Sequence, residues 1–94
     1  MGKEGEVEGE VERVLRMCVE AEDVRKGLES INKEIQRLKE GRRLIESAWT
    51  RFTLMHKDDV ADVLNTASRM VEKELERLGR AKRMFEEELR RLEG

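Results

Sequence analysis

The sequence predicts an all-α fold: an antiparallel two-helix coiled-coil hairpin with a short strand-like connection. Three observations predict it. Apolar residues recur at seven-residue spacing in both halves of the chain, the mark of helices that pack along one seam. Of the 94 residues 45% are charged and none is Pro, which suits long solvated helices. The two periodic stretches have nearly equal length, and a short link between them turns the second back along the first.

Residues 1–9 hold three Gly and three Glu and read as a frayed, acidic start. Helix one is expected over 10–47. One column runs Val7, Val14, Ala21, Leu28, Ile35, and a second runs Met17, Val24, Ile31, Leu38, Ile45. Gly27 and Gly41 lie off both columns, each weakening the helix by about 1 kcal/mol. Residues 48–57 form the expected link. Trp49, Thr50, Phe52, Thr53 and Leu54 favour an extended chain, so one short strand is expected there, and it needs a partner strand. Helix two is expected over 58–93, on the column Leu64, Val71, Leu78, Phe85, Leu92. Asp58 or Asp59 supplies the N-cap, and early carboxylates favour the positive end of the helix dipole. Each helix is about 55 Å long at 1.5 Å per residue. A link centred near residue 52 sets Met17 and Cys18 opposite Phe85 and Met84. The whole chain is read as one domain.

Composition narrows the function. Basic and acidic residues number 20 and 22, a net charge of −2, which gives no reason to expect binding to nucleic acid or an anionic membrane. No apolar run is long enough to span a bilayer, and no signal-peptide core opens the chain. The single Cys rules out an internal disulfide framework. Cytoplasmic residence is the expectation. His56, Lys57, Asp58 and Asp59 match no metal-ligand spacing, and a helix cap with a surface His explains them. Cys18 has no His nearby in sequence, so a packed thiol is expected rather than a nucleophile. No phosphate loop or catalytic triad is present, so no enzyme, metal or cofactor is expected.

The layout of helix, β-prone link, acidic cap and matching helix resembles the β-class subunits of prefoldin. The stretch "RFTLMHKDDVADVLNTASRMVEKELERL", residues 51–78, is similar to the family's run from its hairpin into the second helix. Phe52 stands where the family has a strand Phe, Asp58 and Asp59 match its paired acidic residues, and Val63, Leu64, Ala67, Val71, Leu75 and Leu78 fall on its heptads. "VERVLRM" at 11–17 and "INKEIQRLKEG" at 31–41 resemble the start and end of its first helix. The first strand of the family's hairpin has no full counterpart: no Pro exists, and no Gly lies between Gly41 and Gly79.

The resemblance implies a subunit of a hexameric, ATP-independent chaperone. It would capture unfolded proteins such as actin and tubulin and deliver them to the cytosolic chaperonin, with α-class and β-class prefoldin subunits as partners. Trp49, Phe52, Leu54 and Met55 would then mediate subunit assembly. Val11, Val14, Met17, Cys18, Met84, Phe85, Leu89 and Leu92 would form client-binding tips, Met and Phe adapting to varied apolar surfaces. The alternative is a coiled-coil structural subunit of another hetero-oligomeric complex, of kinetochore or co-regulator type. Strand pairing at 50–55 would favour the chaperone, and a plain helical turn there, with the Trp buried between the helices, the alternative.

Overall fold

The computed structural model describes the backbone of residues 3–17 and 20–94, and side chains from Glu6 onward with 18 and 19 excepted. The fold is all-α. Among the described residues there are three helices, α1 (Lys3–Met17), α2 (Ala21–Leu54) and α3 (Asp58–Glu93), and no strand. The chain divides into two compact units, Met1–Glu34 with Glu76–Gly94, and Ile35–Leu75.

The first unit holds three helical segments. Val7, Val11, Val24, Ala81 and Phe85 are buried, with Leu15, Leu28, Ile31, Met84, Leu89 and Leu92 packed against them. Gly27 of α2 lies against the Phe85 ring, and Arg25 meets Glu93 at 2.6 Å, so α2 and α3 are antiparallel here. On α1, Glu10 reaches Arg77 at 3.4 Å, while Leu15 and Arg16 lie beside Glu88 and Arg91. The α1 segment therefore runs in the same direction as the α3 segment.

The single helix expected over 10–47 is thus two helices, and the acidic start is helical from Lys3. The reason lies in which residues bury. Val7, Val11 and Leu15 follow a four-residue spacing and put one stripe of α1 against the core. The heptad positions Val14 and Met17 do not pack: Val14 is 49% exposed and Met17 80%. One continuous helix would leave Val7 and Val11 in water, whereas a folded-back α1 buries both, worth about 1.5–3 kcal/mol each. Phe85 faces Gly27, not Met17 as the expected link position required.

The second unit is a helical hairpin. The strand expected within 48–57 is absent: Trp49 to Leu54 are the final turns of α2. A lone strand leaves its backbone groups unpaired, whereas helix growth adds one hydrogen bond per residue. Thr50 Oγ1 also donates back to the Glu46 carbonyl at 3.1 Å, the usual accommodation of Thr inside a helix. Phe52 lies seven residues beyond Ile45 and is half-buried, so it continues the second heptad column.

The turn itself is Met55, His56 and Lys57. Lys57 N–H donates to the Phe52 carbonyl at 3.0 Å and His56 N–H to the Thr53 carbonyl at 3.1 Å. Those two bonds define a Schellman motif. His56 takes the left-handed position, φ 59°, normally given to Gly. The Lys57 carbonyl accepts from Ala61 N–H at 3.0 Å, so Lys57 is itself the N-cap of α3. Asp58 and Asp59, expected as caps, occupy the first turn instead and act through the helix dipole.

Candidate functional site

The residues expected at the tips are mostly enclosed. Val11 and Phe85 are buried, and Met84, Leu89 and Leu92 pack against the core of the first unit. Val14 and Met17 are exposed. Cys18 lies outside the described residues. The residues expected for assembly all belong to the hairpin of the second unit. Phe52 is half-buried in its seam, while Trp49, Leu54 and Met55 are exposed. His56 serves the turn, and no group of three or more His, Cys, Asp or Glu converges among the described residues. No described helix is long and apolar enough to cross a membrane.

The second unit buries little. Of its described residues only Ala61 is buried, and the seam residues Ile45, Phe52, Leu64 and Val71 remain half-exposed. Its two broad faces follow from helix geometry. Glu46 and Trp49 of α2 share a shallow groove with Asn65, Ser68 and Glu72 of α3, with Ile45 and Leu64 at its floor. Glu46, Asn65 and Glu72 each follow a seam residue by one position. In an antiparallel pair, the residues that follow the seam on both helices share one side, and those that precede it share the other.

The preceding positions are Leu44, Arg51, Val63 and Met70. Leu44, Val63 and Met70 are 64%, 69% and 66% exposed. Ala48 and Ala67 lie between them at the seam's edge, half-buried. This face therefore presents three long apolar side chains around two small ones, the pattern of a helix-packing surface rather than a solvated one. Sequence reasoning passed over Leu44 and Met70 because they sit off the heptad columns, and took Val63 only as part of the family's heptad register. The signal was available: each directly precedes a column residue or its neighbour, which widens the apolar stripe on one side only.

Charge around the hairpin is unevenly shared. Between 41 and 55, α2 carries three Arg and one Glu, while between 58 and 68, α3 carries three Asp and no basic residue. Arg42 pairs with Glu46 at 3.8 Å and Arg43 with Glu40 at 3.3 Å, exposed same-helix pairs worth a few tenths of a kcal/mol. Arg51, Asp58, Asp59 and Asp62 make no ion pair among the described residues. Among the described residues, the only carboxylate with a displaced pKa lies in the first unit. There the hydrogen bond from Arg91 holds Glu88 below the usual carboxylate range, against the opposing effect of burial. Such an arrangement offers packing and charge contacts. No family model matches the chain, and no curated protein or solved structure matches it either.

Proposed function

We propose that the chain is a coiled-coil assembly subunit whose residues 35–75 dock against the helices of a partner. One observation carries this: a helical hairpin that buries only Ala61 while Leu44, Val63 and Met70 stand exposed on one face. Hydrophobic burial is the main favourable term in folding, and a helix pair with so little of it gains its stability on association. The helical turn at 55–57 fits a coiled-coil subunit better than a strand-paired one, while Trp49 is exposed rather than buried between the helices.

Amide hydrogen exchange on the dilute chain tests the proposal, because protection reports local stability. Amides of 41–54 and 60–74 should exchange faster than those of 24–34 and 80–90. Equal protection would mean that the hairpin is complete alone, and the docking function would fall.

A prefoldin-like holdase is the second reading. Support for it comes from Val14 and Met17, both exposed on the first unit, where an unfolded chain would find weak apolar contacts that add up over several subunits. With the link helical, entry into a ring by strand pairing has no strand to use. The chain should then suppress aggregation of a heat-unfolded model protein, followed by light scattering, and Met17→Ser should reduce that suppression. An inactive native chain would remove this reading.

A further inference from the structure

We infer that the face bearing Leu44, Val63 and Met70 is a self-association surface, occupied by a second copy of this chain. This rests on the docking function proposed above and names its partner.

Apolar exposure is the first argument. Leu44, Val63 and Met70 are 64%, 69% and 66% exposed on one face of the hairpin, and the same face on a second copy would cover all three in one isologous contact.

Charge is the second. Arg51 borders this face on α2, and Asp59 and Asp62 lie on the α3 side, all within two helical turns of the same connection. None is engaged in an ion pair among the described residues. A two-fold axis parallel to the helices would lay α2 of one copy over α3 of the other at equal height. Arg51 of each copy would then meet Asp59 of its mate, with Asp62 less than a turn away adding to the same negative field. The contact is isologous, as closed dimers require, and it recurs twice. Ala48 and Ala67 would allow the helices to approach closely, while Leu44, Val63 and Met70 would fill the layer between them. An unrelated partner would need to reproduce this charge pattern, whereas a second copy carries it already.

Sedimentation equilibrium on the full chain is the test, with a Val63→Glu, Met70→Glu double variant alongside. Both positions are exposed in the single chain, so helicity should be unchanged. The native chain should be a dimer, and the variant should associate more than tenfold less tightly, because a buried carboxylate without a partner is strongly disfavoured. If the variant lost helicity, Arg51→Asp would take its place, with the same expected loss. A native chain that stays monomeric would overturn self-association, yet weak amide protection at 41–54 and 60–74 would still leave docking on another protein in place. A variant that dimerises as tightly as the native chain would show that this face is not the interface.

Discussion

Single residues at two places carry more structural weight than their type suggests. His56 holds a left-handed backbone, which costs an L-residue roughly 1–2 kcal/mol. Gly removes that cost but gives the unfolded chain more freedom. His56→Gly should therefore stabilise by about 0.5–1 kcal/mol and raise the melting temperature by a few degrees; a lower melting temperature would contradict the Schellman assignment. Gly27 is the opposite case. A Cβ there would overlap the Phe85 ring, whereas one at Gly41 meets nothing within 4 Å. Gly27→Ala should destabilise by about 1–2 kcal/mol, overpacking outweighing the gain in helix propensity. Gly41→Ala should stabilise by about 1 kcal/mol. Chemical denaturation of both variants checks the difference in sign. Glu88 adds a weak pH effect. Its carboxyl is held below the usual range by Arg91, so its stabilising contribution is present above the unfolded-state pKa and is lost as pH falls through the folded one. Glu88→Gln should flatten the acid limb of the stability curve slightly.

Among the elements, α1 contributes most per residue to the core. It brings Val7 and Val11, two of the five residues of the buried cluster. Removing 1–17 should cost at least about 3 kcal/mol, read as a fall in the denaturation midpoint; an unchanged midpoint would mean that α1 does not pack. The long helices were legible in the sequence because their seam repeats strictly, Leu64 through Leu92 on α3 and Val24 through Ile45 on α2. The link was misread because Trp49, Thr50, Phe52 and Thr53 favour strands, a preference of at most about 1 kcal/mol that context overrides. Extending the α2 column by one step, from Ile45 to Phe52, points to the helix. The break before α2 was hidden for a related reason. Val7 and Val14 fit a seven-residue column, but Val7, Val11 and Leu15 fit a four-residue stripe equally well, and only packing against Phe85 chooses between them.

At the scale of the whole molecule, burial and exposure are unevenly divided. Among the described residues, the unit built from α1 and the flanking parts of α2 and α3 holds five of the six buried apolar residues, and residues 35–75 hold one. Sequence alone suggested an assembly role for the hairpin through Trp49, Phe52, Leu54 and Met55. It did not identify the face with Leu44, Val63 and Met70, because exposure at a position beside the seam depends on how the two helices are set against each other. That face, completed by a second copy, is the central claim. Its most direct test is a charge exchange read by sedimentation. A chain with Arg51→Asp and a chain with Asp59→Arg and Asp62→Arg should each be monomeric, since like charges would then face each other twice. Mixed, they should form a one-to-one dimer with both pairings restored. A mixture that remained monomeric, while the native chain dimerised, would contradict the proposed pairing.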